Sequence, residues 1–128
     1  MHSTIKVSGG VSLRGSVVPI PNKNALVAVI PASVLSVGKT VYRDVAETSD
    51  VEKLLSILRL LGAGIDDTDY THLVIDGSTI HSYKIDKELG GQFRASFMFV
   101  GPLLARFGKA EVPVPGGCVL GERSVAAH

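Results

Sequence analysis

The amino-acid sequence predicts a mixed α/β or α+β fold, because helical and strand-like segments alternate along its 128 residues. One segment carries apolar residues at clear helical spacing, and short runs bounded by glycine, proline or serine lie on both sides of it. A weak internal repeat with an offset of 70 residues indicates a unit that occurs twice. With 45% hydrophobic residues, the chain can form a core.

The clearest helix is predicted for residues 50–61, whose apolar side chains recur on one helical face. Ser49 and Glu52 have the spacing of a capping box at its start. Gly62 follows the last apolar position and is the expected end of the helix.

Two more helices are predicted on either side of this one. Residues 25–35 form the first, and Pro31 should kink it because proline removes a backbone hydrogen bond. Residues 93–106 form the second, which is apolar almost all round and should be buried on most sides. The pair Gly101 and Pro102 predicts a bend in its middle.

Strand-like stretches are predicted at residues 4–7, 13–18, 40–44, 73–75 and 110–114. In the repeat, a helix, a Gly-Lys pair and a strand occur first around Gly38 and again around Gly108. Two Gly-Lys pairs can also match by chance. If the repeat is real, a second copy of the 50–61 helix begins near residue 124, and the sequence is part of a longer protein.

Charge is distributed unevenly along the chain. The net charge is +5 over residues 1–43, −6 over residues 44–88 and +2 over residues 89–128, so the two ends are the candidate anion-binding parts. Basic residues interleaved with aromatics are too few for a nucleic-acid site.

No apolar run reaches the ~18 residues of a membrane span, which favours a cytoplasmic protein. No histidine, cysteine or acidic cluster has metal-ligand spacing, and residues 66–69 read as a solvated turn.

The single cysteine, Cys118, lies in a glycine-flanked loop five residues before Arg123. It has no partner for an internal disulfide. A nearby guanidinium favours the thiolate, so Cys118 is a candidate nucleophile or general acid. The alternative is a small buried residue between strands.

Two further cations lie at predicted helix starts. Lys23 follows Asn22 at a position where backbone N–H groups point outward and bind anions. The alternative is an asparagine cap beside a solvated lysine. Arg94 opens an otherwise apolar helix, and if buried it needs either an acidic side chain or a bound anion as partner.

Three stretches taken together resemble the UDP-N-acetylglucosamine enolpyruvyl transferase family. They are Asn-Lys-Asn-Ala at residues 22–25, Phe-Arg-Ala-Ser continuing to Gly-Pro-Leu-Leu-Ala-Arg-Phe-Gly over 93–108, and Pro-Gly-Gly-Cys at 115–118 with Gly121 and Arg123. The resemblance implies an inside-out α/β barrel of repeated βαβαββ units, only part of which is present in this chain. Residues 1–20 would be first strands of the other domain, and residues 21–128 an incomplete enolpyruvyl-transferase domain.

The same resemblance implies a function without a cofactor or metal: transfer of the enolpyruvyl group of phosphoenolpyruvate to a hydroxyl of UDP-N-acetylglucosamine, a step of peptidoglycan precursor synthesis. Lys23, Arg94 and Arg123 would bind the phosphate and carboxylate of phosphoenolpyruvate. Asn24 would contact the acceptor, and Cys118 would act as general acid or take part in product release. The acceptor base and other arginines are not in this sequence, so the 128-residue chain alone is expected to be inactive without a C-terminal part.

The sequence departs from the family where the acceptor's uracil would be held. Ser124 and Ala126 stand where the family has proline and aspartate. The acceptor is therefore open between UDP-N-acetylglucosamine and another nucleotide, such as UMP in nucleoside-antibiotic biosynthesis. A non-catalytic anion-binding fragment is the rival from a different class.

Overall fold

The computed structural model describes residues 4–114 of the chain. Helices and strands alternate in it, which confirms the predicted mixed class. The described elements are α1 (Lys23–Ala32), a 3-10 turn (Ser33–Leu35), β1 (Lys39–Arg43), α2 (Ser49–Leu61), β2 (Gly64–Asp66), β3 (His72–Asp76), α3 (Lys87–Gly91), a 3-10 segment (Arg94–Phe99) and α4 (Val100–Phe107).

The three strands form one antiparallel sheet in the order β1-β3-β2. Thr40 lies opposite Ile75 in β3, and Ile65 of β2 lies on the other side of Ile75. Because side chains alternate along a strand, Leu73 and Ile75 share one face, and both are fully buried in the core. The predicted strands at 40–44 and 73–75 are confirmed, whereas the three-residue β2 was not predicted. Residues 4–114 do not close a barrel, so the barrel stays an expectation.

Helix α2 is the centre of the core, and its apolar face is fully or almost fully buried: Val51, Leu54, Leu55, Ile57, Leu58 and Leu61. Gly62 ends the helix with a left-handed φ of 104°, as predicted. The predicted capping box is wrong by one residue. The cap is Thr48, whose hydroxyl accepts from the N–H of Val51 at 3.5 Å, while Ser49 is already helical.

Helix α1 begins at Lys23, two residues before the predicted start, and runs through Pro31. It tightens into the 3-10 turn at Ser33, so the predicted helix over 25–35 is confirmed with a tighter last turn. Leu26, Ile30 and Pro31 face the core.

The single helix predicted over residues 93–106 is wrong in two respects. Phe93 is extended, with φ −155°, and a 3-10 segment precedes an α-helix that begins only at Val100. Pro102 lies in the first turn of α4, where N–H groups lack intrahelical partners, so the Gly-Pro pair opens the α-helix rather than bending it. Phe99 and Leu103 are fully buried, but Met98 is 46% exposed, and so burial is one-sided.

The strands predicted at 4–7 and 13–18 are also wrong for the described structure. Both stretches lack strand pairing, and their apolar side chains are exposed, from 86% at Val7 to 93% at Leu13. Alternating apolar residues suit a strand, yet a strand forms only against a neighbour, and residues 4–114 supply none there. Residues 110–114 form only an isolated bridge between Glu111 and Lys84, so that strand prediction holds in part.

The repeat is visible in element order. The first copy consists of α1 with its 3-10 turn, the pair Gly38 and Lys39, and β1. The second consists of α4, the pair Gly108 and Lys109, and the extended residues 110–114 with their single bridge. The two glycines differ in conformation, because Gly108 is left-handed with φ 69° and Gly38 is not. The similarity therefore extends to the order of elements and not to the backbone of the turns.

Gly90→Ala is expected to lower the free energy of unfolding by about 1–3 kcal/mol through overpacking. A Cβ at Gly90 would lie 2.6 Å from Cγ of Pro113 and 2.7 Å from Cγ2 of Ile85. Gly91→Ala is the matched control, since a Cβ there meets no atom within 4 Å. Urea unfolding of both variants checks this, and equal stabilities would show that α3 does not pack against Pro113 as described.

Candidate functional site

A cleft of about 890 Å³ opens between the start of α1, the first turn of α2 and the segment that leads into α4. Both polar and apolar side chains line it. Its lining residues are Lys23, Asn24, Val27, Asp50, Phe93, Arg94, Ala95, Phe97, Met98, Val100, Gly101, Pro102 and Leu104.

The cleft brings together three residues that the sequence singled out. Lys23 and Asn24 come from the first turn of α1, and Arg94 comes from the start of the 3-10 segment, about 70 residues later in the chain. The other two candidates, Cys118 and Arg123, lie outside the described residues.

The start of α1 is capped by its own neighbour. The side-chain oxygen of Asn22 accepts from the N–H groups of Asn24 and Ala25, at 2.9 and 3.3 Å. Two of the N–H groups expected to face an anion are therefore already occupied. At this helix start the side chain of Lys23 is the cationic group that lines the cleft.

Lys23 is paired rather than solvated. Its Nζ lies 2.7 Å from Oδ2 of Asp50, in the first turn of α2, with the two side chains 43% and 32% exposed. Asp50 is the site residue that the sequence analysis missed. Acidic residues are common in the first turn of any helix, so nothing local distinguished this one.

Buried Ser96 holds the turn that carries Arg94. Its hydroxyl lies 2.6 Å from the carbonyl oxygen of Gly90 and 2.8 Å from that of Phe93, and the residue is fully buried. The ammonium of Lys53 lies 5.6 Å from the centre of the Phe93 ring. Helix α2 thus contacts two residues that line the cleft, Lys23 through Asp50 and Phe93 through Lys53.

Apolar side chains also line the cleft: Val27, Phe97, Met98 and Leu104. Gly101 lines it too, and a Cβ there would meet no atom within 4 Å. The cleft therefore combines charged groups with apolar surface, which suits a small anionic molecule with a carbon skeleton.

Elsewhere in residues 4–114 the acidic stretch at 66–69 begins with Asp66, the last residue of β2, so the predicted turn is wrong at that residue and only residues 67–69 lie outside the strand. The hydroxyl and N–H of Thr71 both donate to the Asp69 carboxylate, which lowers the pKa of that group. Within the same range no group of histidine, cysteine and acidic side chains is arranged to hold a metal ion. A helix long and apolar enough to cross a membrane is also not found there.

The chain belongs to the EPSP synthase (3-phosphoshikimate 1-carboxyvinyltransferase) family, whose family model matches residues 7–128. This confirms the resemblance to enolpyruvyl transferases.

Individual relatives carry a more specific name. The chain is 37% identical over 124 residues to a UDP-N-acetylglucosamine 1-carboxyvinyltransferase of Wolinella succinogenes, and 40% identical to one of Desulforapulum autotrophicum. A Prochlorococcus marinus protein of the same name is also 40% identical. Each match covers 97% of this chain, and the chain spans only 27–30% of the length of these relatives.

One similar solved structure is the enolpyruvyl transferase NikO from Streptomyces tendae. It aligns with 69% of this chain and 20% of its own chain, with a TM-score of 0.62 and 22% sequence identity. At that identity the likeness shows the fold. The arrangement of that 69% of the chain is thus one that an enolpyruvyl transferase also contains.

Proposed function

We propose that this chain is the N-terminal part of an enolpyruvyl transferase and supplies part of its phosphoenolpyruvate site. One observation carries the proposal: Lys23, Asn24 and Arg94, named from the resemblance, line one cleft although they lie far apart in the sequence. The names of relatives at 37–40% identity support the same reaction class.

Phosphoenolpyruvate carries a phosphate and a carboxylate on a three-carbon skeleton. In the proposal, the compact ammonium of Lys23 and the planar guanidinium of Arg94 bind these two anionic groups. Arg123, outside the described residues, adds a third cation. The apolar side chains of Met98 and Leu104 then face the methylene end of the substrate.

The proposed reaction is an addition followed by an elimination. The acceptor hydroxyl oxygen bonds to C2 of phosphoenolpyruvate and loses its proton to a base, while Cys118 donates a proton to C3. A tetrahedral ketal results. Loss of a proton from C3 then restores the double bond as the C2–O bond to phosphate breaks, releasing inorganic phosphate. Clustered cations stabilise the charge that develops on the phosphate.

UDP-N-acetylglucosamine is the acceptor that we propose, with Asn24 as a contact. The names of the most similar relatives support it. Ala126 cannot accept a hydrogen bond through its side chain, so a nucleotide such as UMP is the second candidate acceptor. Because the chain spans about 30% of its relatives, the base and further arginines would belong to a C-terminal part.

The test begins with the gene beyond codon 128 and then assays the complete product. We expect phosphate release from phosphoenolpyruvate with UDP-N-acetylglucosamine, faster than with UMP, and no turnover by the 128-residue chain alone. A stop codon after His128 would favour a non-catalytic anion-binding fragment. A complete protein that releases no phosphate with either acceptor would overturn the proposed reaction, and turnover by the short chain would overturn the placement of the missing groups.

A further inference from the structure

The ion pair between Lys23 and Asp50 places a carboxylate inside a cleft proposed to bind an anion. The pair joins residues 27 positions apart, and its 2.7 Å length is that of a charge-assisted hydrogen bond. Both residues line the cleft. A carboxylate in this place repels an incoming anion. The general preference for acidic residues in the first turn of a helix does not explain why one lines a cleft proposed to bind an anion.

Positioning of the lysine supplies that explanation. A lysine ammonium sits on a flexible four-carbon stem and loses much rotamer freedom when it is fixed. The ammonium carries three hydrogens, and the Asp50 carboxylate accepts a hydrogen bond from one of them. The other two are left to contact a ligand, with the ammonium held at the start of α1.

The opposing effect is electrostatic. A ligand anion in contact with Lys23 would lie only a few Å from the Asp50 carboxylate, within the distance over which salt screens weakly. Asp50 therefore lowers the affinity for an anion at the same time as it orders the lysine. The two effects can be separated, because asparagine keeps an acceptor oxygen and removes the charge.

We propose that Asp50 is a positioning residue that orders Lys23 and sets the affinity of the cleft for phosphoenolpyruvate. The affinity part rests on the proposed function. Asp50 also weakens binding of anions that contact Lys23 alone. Inorganic phosphate, which has one anionic group, is the probe for an anion that contacts Lys23 alone.

The experiment titrates the 128-residue chain with phosphoenolpyruvate and, separately, with inorganic phosphate. Asp50→Asn is expected to tighten phosphoenolpyruvate binding about three- to tenfold, because it removes the repulsion between two anionic groups a few Å apart. Asp50→Ala is expected to gain less, because Lys23 loses its acceptor. Glu52→Gln is the matched control: it removes the same charge from the same helical turn, at a residue outside the cleft, and should change affinity less than twofold.

A second measurement does not depend on ligand binding. Relaxation of the Lys23 Cε methylene by NMR should show greater mobility in Asp50→Ala than in the wild type, and no change in Glu52→Gln. Equal affinities of the Asp50 and Glu52 variants, or equal mobility of Lys23 in all of them, would overturn the role of Asp50. If the wild-type chain does not bind phosphoenolpyruvate, the cleft is not a phosphoenolpyruvate site by itself and the assay of the complete protein decides the proposed function. The mobility of Lys23 then decides whether Asp50 positions it.

Discussion

Arg106→Ala is expected to lower the free energy of unfolding by about 3 kcal/mol or more. The guanidinium donates to four backbone carbonyl oxygens, those of Val34, Ser36, Gly77 and Ile80, at 2.8–3.1 Å. These carbonyls belong to the turn after α1 and to the turn after β3, so one side chain ties α4 to both. Alanine leaves them without this donor, and each part-buried carbonyl then carries a desolvation cost.

Two further variants separate the loss of the Arg106 hydrogen bonds from the loss of its charge. Arg59→Ala removes an equal charge, but Arg59 only pairs with Asp67 at 2.7 Å on the surface, so the loss should stay below ~1 kcal/mol. Arg106→Lys keeps the charge and should recover only part of the loss, because an ammonium cannot reproduce the planar set of donors. Urea unfolding measures all three, and an Arg106→Ala variant as stable as Arg59→Ala would contradict the described anchoring of α4.

The second large effect concerns the cations of the cleft. Lys23→Ala or Arg94→Ala is expected to weaken phosphoenolpyruvate binding by about ten- to a hundredfold, which is what the loss of one charged hydrogen bond costs. Lys39→Ala removes an equal charge from exposed strand β1, outside the cleft, and should leave affinity within about twofold. If Lys39→Ala weakens binding as much as Lys23→Ala, net charge rather than the cleft holds the anion.

Local sequence patterns predicted the elements whose causes are local. Helix α2 was placed within one residue at its start because its apolar face repeats at 3.6 residues and because Gly62 takes the left-handed conformation that ends a helix. The capping residue was misplaced because Thr48 and Ser49 are both good caps, and only the extended backbone of Thr48 decides between them.

Features that depend on contacts between distant residues could not be predicted from local sequence patterns. The apolar alternation of residues 4–18 predicted strands, but strand formation needs a neighbour, and the described residues supply none. The pairing of Asp50 with Lys23 arises only because α1 packs on α2. The site itself was predicted through the resemblance, and the structure adds that Lys23, Asn24 and Arg94 share one cleft.

Binding at the Lys23 cleft can be measured by NMR, with phosphoenolpyruvate titrated into the isotope-labelled 128-residue chain and the backbone amide signals followed. We expect the largest shifts at Lys23, Asn24 and Arg94. These shifts should saturate with one dissociation constant and require at least about tenfold more ligand in Lys23→Ala. A second cavity of about 610 Å³ lies elsewhere in the described residues, and Lys84 and Glu111 are among the residues that line it. Shifts centred on that cavity, or no saturable shift at all, would show that the Lys23 cleft does not bind phosphoenolpyruvate.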